Sequence, residues 1–240
     1  MISTLHKLAG IGQDIGHTSS SSINFNANLP VTIEVLKQID ALRYRLKIGR
    51  KELTTKSNQN LKVGQKYWAN FFESKGGILT ISNLYRQPQL FENEAYFLPI
   101  SIEQLFERKS FSFNDFKAFL LKQLSNEQLS KELFKIYGYM LLALSKATIH
   151  IPLIHQGKKV MVQFQKQTDE TLLIYLAFEH LGPLWGILSQ TELHISAMYE
   201  KSFHYLQKES AKLGIITHLT LQKEIKPLFD LSDMVLDLKG

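Results

Sequence analysis

Thr171-Leu-Leu-Ile-Tyr-Leu-Ala-Phe178, then Leu181-Gly182-Pro183, then Leu184-Trp-Gly-Ile-Leu188 and Glu192-Leu-His-Ile-Ser-Ala197 form the stretch on which the reading of this chain turns. The first two runs are apolar and short, the length of strands rather than helices, and a Leu-Gly-Pro break separates them. The third alternates apolar and polar residues, the pattern of a strand with one buried face. From about Lys201 the period changes. Phe203, Leu206, Ser210 and Leu213 fall on one helical face, and Gly214 follows as a favourable C′ residue, because glycine accepts a positive φ without a Cβ clash. Ile215 to Leu221 then reads as another strand, and Met234 to Leu238 as a last one beyond a loop containing Pro227.

Working outward, Ile149, Ile151 and Leu153 precede Gln156-Gly157, and Val160, Val162 and Phe164 alternate after it. That is a hairpin signature. Before it the sequence predicts helices over 102–108, 113–124 and 126–146. Each is preceded by a serine with an acidic or amide residue three positions on: Ser101 with Gln104, Ser112 with Asp115, Ser125 with Gln128. Phe113, Phe116, Leu120 and Leu124 make an apolar stripe on the second of these. Leu129, Leu133, Ile136, Met140 and Leu144 make one on the third, and both read as core.

Nearer the N-terminus, Leu42, Tyr44, Leu46 and Ile48 alternate with Arg43, Arg45 and Lys47. This is a half-buried strand with a basic outer stripe. A polar loop over Thr54 to Asn60 follows, then the run Leu61 to Phe72. Gly76-Gly77 next stands between two strand-like runs as a hairpin turn. The region 31–100 is thus expected to be a small β-rich, barrel-like domain. Residues 1–30, with Ser19 to Ser22 and several glycines, have the composition of a flexible leader. Residues 101–147 form a helical segment, and 148–240 an α+β domain with antiparallel strands and one short helix. The fold class is α+β.

The chain has 240 residues, no cysteine and a net charge of +6. Lacking cysteine, it has neither disulfides nor thiolate chemistry. Between Lys37 and Lys66 nine basic residues stand against Asp40 and Glu52, a local balance of +7 that accounts for the whole excess. Arg43, Arg45, Lys47, Arg50 and Lys51 are the centre of this basic patch. Together with Tyr67, Trp68, Phe71 and Phe72 it admits three readings. The charges form a solvated exterior over a core that holds the aromatics, or they attract an acidic protein partner, or they bind single-stranded nucleic acid whose bases stack on the aromatics. No apolar run is long enough to span a bilayer as a helix, so no membrane insertion is expected.

No nucleophile elbow, Walker loop or dinucleotide fingerprint occurs, so the sequence nominates no catalytic residue, no cofactor and no small-molecule substrate. Six histidines lie in the C-terminal part: His150, His155, His180, His194, His204 and His218. None has an i, i+4 helical partner or the H-E-x-x-H arrangement, and no acidic cluster stands beside them in the sequence. No metal site is expected. Glu179 and His180 are adjacent at a strand end and point apart, so they do not read as an acid–base pair.

The order strand, Leu181-Gly182, strand, alternating strand, leucine-containing helix, Gly214, strand resembles the C-terminal domain of the flagellar hook-length control family (FliK-type), which in outline is shared with needle-length regulators of type III secretion. Ile149-His-Ile-Pro-Leu153 resembles the family's apolar lead-in, and the resemblance spans about 148–222. It implies a non-enzymatic regulator whose C-terminal domain contacts the cytoplasmic part of the export gate and switches export substrates. Such a protein would be cytoplasmic, or itself exported through the flagellar apparatus. The contact positions expected on this reading are the Leu181, Gly182 and Pro183 turn and the helix face with Lys201, His204, Lys208 and Lys212. The alternative is a single-stranded nucleic-acid-binding protein using the basic N-terminal region.

Overall fold

Alternation of side chains determines the first sheet. In the computed structural model, which describes residues 29–57, 59–73, 79–99, 112–168 and 170–234, Val31–Gln38 (β1), Arg43–Ile48 (β2), Lys51–Lys56 (β3), Lys66–Glu73 (β4) and Leu79–Arg86 (β5) pair antiparallel in the order β3-β2-β1-β4-β5. Ile33, Val35, Tyr44, Leu46, Ile48, Tyr67 and Ala69 share one face and are buried together with Leu61. Tyr44, Leu46 and Ile48 thus sit on the core face, as the alternation requires, whereas Leu42 lies ahead of the strand and is exposed.

Three expectations for this region change. Its central strand is β1, whose Val31, Ile33 and Val35 already alternate before the stretch read from Leu42. Thr54 to Lys56 belongs to strand β3 and not to a loop, because the β2 hairpin turns at once at Gly49 and continues as Lys51–Lys56. The sheet is open and not barrel-like: β3 and β5 are its two edges and do not pair with each other. The Gly76-Gly77 turn lies outside the described residues, although the β4–β5 pairing it would connect is present.

A short helix, Gln89–Glu92 (α1), and a 3-10 turn at Glu94–Tyr96 lead to Leu98, which bridges Leu153. The helix expected over 102–108, with Ser101 and Gln104, lies outside the described residues. Phe113–Leu124 (α2) begins at the expected capping box, in which the Ser112 hydroxyl accepts from the Asp115 amide. The next helix starts later than expected, at Lys131–Ser145 (α3). Ser130 caps it by accepting from Leu133 N, while Ser125 closes α2 by donating its hydroxyl to Leu121 O. Asn126 to Leu129 are taken up by the turn between the helices, where Asn126 accepts from Gln128 N.

The second sheet has six strands in the order β11-β10-β9-β8-β7-β6. They are Thr148–His155 (β6), Lys158–Lys166 (β7), Leu172–Phe178 (β8), Gly182–Leu188 (β9), Glu192–Ala197 (β10) and Ile216–Leu221 (β11). The β6–β7 hairpin turns at Gln156-Gly157, both with positive φ. Such a pair matches the right-handed twist of the strands it connects. From β6 to β10 every pairing is antiparallel, and β10–β11 is the one parallel pair of strands among the described residues. A parallel neighbour needs a crossover. Here it is Glu200–Glu209 (α4), extended by a 3-10 turn over Ser210–Leu213 and ended at Gly214 with φ +69°. Met234, expected to open a final strand, instead ends the 3-10 turn Leu231–Met234, and the rest of that expected strand lies outside the described residues.

Both faces of the six-stranded sheet are covered. Ile151, Val160, Val162, Leu176, Leu184, Leu193 and Ile195 pack against Phe116, Leu120, Ile136, Met140, Leu206 and Leu213 from the helices. On the opposite face Met161, Tyr175 and Ala177 share a core with Trp68, Phe91, Phe97 and Tyr199, and with Ile225 and Phe229 of the C-terminal segment. The two sheets therefore close over one aromatic-rich interior.

Gly182 shows how tightly this is built. The β8–β9 loop is Glu179-His180-Leu181, and Gly182 follows it at φ +70°, a conformation that costs a residue with a Cβ about 1 kcal/mol or more. A Cβ there would stand 2.7 Å from Cε2 of Tyr199, whose buried ring lies over the glycine and whose hydroxyl donates to Asn83 O at 3.1 Å. Ser202, one turn further along α4, donates its hydroxyl to Leu181 O at 2.8 Å. Gly182→Ala is expected to lower stability in urea unfolding by about 2–4 kcal/mol, backbone strain plus displacement of Tyr199. Gly64→Ala, with φ +82° but open space around it, should cost only the strain, about 1 kcal/mol. Equal losses in the two variants would disprove the packing role of Gly182.

Candidate functional site

Among the twelve positions nominated from the sequence, the structure separates buried anchors from exposed groups. Leu181, Gly182 and Pro183 are all buried. The expectation that this turn is an exposed contact is therefore corrected: Tyr199 and Ser202 cover it, and its role is to fix the start of α4 against the sheet. On α4, His204 and Lys208 are exposed, while Lys201 is half-buried. Lys212, in the 3-10 turn that follows, is exposed and pairs with Glu209. Next to this helix, β11 is a sheet edge that leaves Ile216 and Leu221 about half exposed. Among the described residues no strand pairs with its outer side, and a sheet edge that carries exposed apolar side chains is a template for another chain.

The basic patch is only partly assembled. Strand register puts Lys37 opposite Arg45, Arg43 opposite Lys56, and Lys47 between Glu34 and Glu52. Arg43, Arg45 and Lys47 share an exposed face with Lys37 and Lys56, and Arg43 is engaged by Asp40. The bonds from Arg43 and from two backbone amides hold the Asp40 carboxyl below the usual range. Arg50 sits in the hairpin turn, and Lys51, paired with Ile48, belongs to the other face. Tyr67 and Trp68, considered as stacking groups for bases, are buried, Trp68 completely. The side chains of Phe71 and Phe72 lie outside the described residues. Five cations interspersed with Glu34, Asp40 and Glu52, without either of these aromatics, make a solvated basic face and not a stacking platform.

Polar groups in the shared interior form a further constellation that alternation and spacing do not reveal. Gln163, fully buried on β7, accepts from Leu228 N (2.8 Å) and Phe229 N (3.1 Å) and donates to Phe229 O (2.6 Å). Its amide nitrogen also reaches Nδ1 of His150 at 3.2 Å. Burial depresses His150 to about 3, so the ring is neutral. Asp230 accepts from Gln89 N and Leu90 N, and the Tyr85 hydroxyl donates to Ile225 O. The C-terminal segment is thus strapped to both sheets. Lys159, also buried, donates to Phe91 O at 2.9 Å, lies 4.7 Å from the Phe91 ring centroid and 3.9 Å from Glu179. Burial outweighs the attraction of Glu179 and pushes the amine down to about 8, while Glu179 is raised by its own burial. His180, in the same loop, is depressed to about 4, mainly by burial.

The histidines also depart from expectation. No acidic group was expected to converge on them, yet parallel pairing sets His194 directly beside His218, and Glu192 lies two residues before His194 on the same strand face. Glu192 Oε2 is 3.3 Å from His194 Nε2 and 3.8 Å from His218 Nε2. The Glu-x-His alternation was visible in the sequence, whereas the partner 24 residues away depended on the crossover.

Comparison with protein-family models, with curated proteins and with solved structures finds no match to this chain. No helix of the described residues is long and apolar enough to cross a membrane.

The buried amine sets a pH dependence. Lys159 titrates near 8 in the folded chain and near 10.5 when unfolded, so between these values the unfolded state binds more protons and stability rises with pH. Below about pH 8 the amine is charged in both states and the cost of burying it is present in full. Tyr85, raised to about 12, acts in the opposite direction, but only above about pH 10. The urea midpoint should therefore rise between about pH 8 and 10, and Lys159→Met should flatten that slope. An unchanged slope in the variant would show that the lysine is not the group responsible.

Proposed function

We propose that the chain is a non-enzymatic regulator of flagellar, type III export that acts by protein contact, through the outer edge formed by α4 and β11, on a cytoplasmic component of the export gate. The observation that carries this reading is the order and pairing of β8 to β11. Two antiparallel strands meet at Leu-Gly, a third antiparallel strand follows, and a helix then crosses over to a parallel edge strand after Gly214. That is the succession on which the resemblance to hook-length control proteins rests, here as a single packed unit. It presents a partner with His204 and Lys208 on α4, and with Ile216 and Leu221 on the free edge. The ammonium of Lys208 together with the apolar side chains of the edge strand suits an acidic surface with an apolar centre.

A nucleic-acid role for the basic face has less support. Tyr67 and Trp68 are unavailable for stacking, and Glu34, Asp40 and Glu52 dilute the positive field.

The test is capture of purified export-gate cytoplasmic domains by the full-length chain. Retention is expected, and His204→Glu with Lys208→Glu should weaken it about tenfold, equivalent to about 1.4 kcal/mol. Failure to retain any such domain, together with unchanged motility on deletion of the gene, would refute the proposal.

A further inference from the structure

The cluster on β10 and β11 has a chemistry that neither the fold nor the regulatory reading requires. Strand register places His194 and His218 side by side on adjacent strands, with their rings stacked at a centroid separation of 4.5 Å and an interplanar angle of 17°. Both Nε2 atoms approach the same carboxylate oxygen of Glu192, and one donor atom from each of the three residues lies within 4.8 Å of the others. By alternation these side chains project from the face of the six-stranded sheet that carries the aromatic interior, but on its edge strand and that strand's neighbour, where they are exposed. The side chains of Glu192, His194 and His218 are 43%, 54% and 49% exposed, so an ion can reach them from solvent.

We propose that Glu192, His194 and His218 form a binding site for a divalent transition metal of the zinc type. Bonds of about 2.0–2.2 Å in a tetrahedral arrangement place ligand atoms about 3.3 Å from one another, close to the 3.3 and 3.8 Å found here. Two imidazoles with one carboxylate suit zinc, nickel or copper and disfavour magnesium and calcium, which take oxygen ligands. Glu192 is anchored at its backbone, where its amide donates to the Ser189 hydroxyl at 3.0 Å and its carbonyl accepts from that hydroxyl at 3.1 Å. Below the histidines, the hydroxyls of Ser196 and Thr220 meet at 2.8 Å and hold the same two strands in register. The backbone beneath the ligands is thus held in register, and the two half-exposed rings must turn out of their stack by tens of degrees about their side-chain torsions to aim both Nε2 lone pairs at one ion. Three protein ligands leave at least one position open to water.

The ion would tie the edge strand β11 to β10 across the crossover. Its binding is measured by titrating Zn²⁺ into the full-length chain against a chelating indicator. One equivalent is expected to bind with a Kd of about 10 µM or tighter. The double variant His194→Ala/His218→Ala should lose that equivalent, while His204→Ala, an exposed histidine outside the cluster, should keep it. Both sites are at the surface, so an unchanged urea midpoint without metal verifies that the double variant is folded. As a second readout, saturating Zn²⁺ should slow amide exchange along β11 in the wild type and not in the double variant. No binding at about 100 µM Zn²⁺, or binding of the same stoichiometry and affinity in the double variant, would overturn the assignment.

Discussion

The ring of Tyr199 occupies the space that a side chain at position 182 would need, and much of the molecule is arranged around that contact. Through it the β8–β9 turn is held against the N-terminus of α4, which sets where the crossover begins and hence where β11 can pair. Through its hydroxyl the same residue reaches Asn83 in the five-stranded sheet. One buried aromatic thus links the turn, the helix and the neighbouring sheet. Glycine at 182 is required twice, by its positive φ and by the absence of a Cβ.

The aromatic interior has the same character. Trp68, Phe91, Tyr175 and Tyr199 come from four separate parts of the chain, and the bonds that Gln163 and Asp230 accept and Tyr85 donates bring the C-terminal segment across them. The polar groups are buried because the segment they hold has no strand to pair with. Its amides and carbonyls need partners, and the side chains of β5 and β7 and the segment's own Asp230 supply the links.

What the sequence made legible was local. Alternation located β2 and β10, Gln156-Gly157 the β6–β7 hairpin, Ser112 with Asp115 the start of α2, and Gly214 the end of the crossover. Each of these signals depends on neighbours within a few residues. The misread features depend on distant ones. Ser125 has the spacing of a cap, but the helix it would open cannot begin until Ser130, because the chain must first reverse direction between α2 and α3. Leu181-Gly182-Pro183 looks like an exposed turn until Tyr199 is placed over it. Tyr67 and Trp68 point to opposite faces of β4, and both are buried because this strand has a core on each side. His218 joins His194 only through a parallel pairing that spacing rules do not express.

The bonds that close the interior also carry a temporal consequence. Thr32 donates to the carbonyl of Glu179, Tyr85 to that of Ile225, and the amide of Leu90 to Asp230, spans of 147, 140 and 140 residues. During synthesis, which runs from the N-terminus, the inner face of the five-stranded sheet can pack only on near neighbours, as Trp68 does on Tyr85 and Phe91, until β6 to β9 have left the ribosome. The amide of Leu90 lacks its native partner until residue 230 has done so. The helix-covered face of the larger sheet can assemble from nearer neighbours, but the face between the sheets can be completed only once residue 230 is available. Until the chain has been made through residue 230 it must therefore keep part of an aromatic surface from wrong partners, a demand that falls on the most non-local part of its folding.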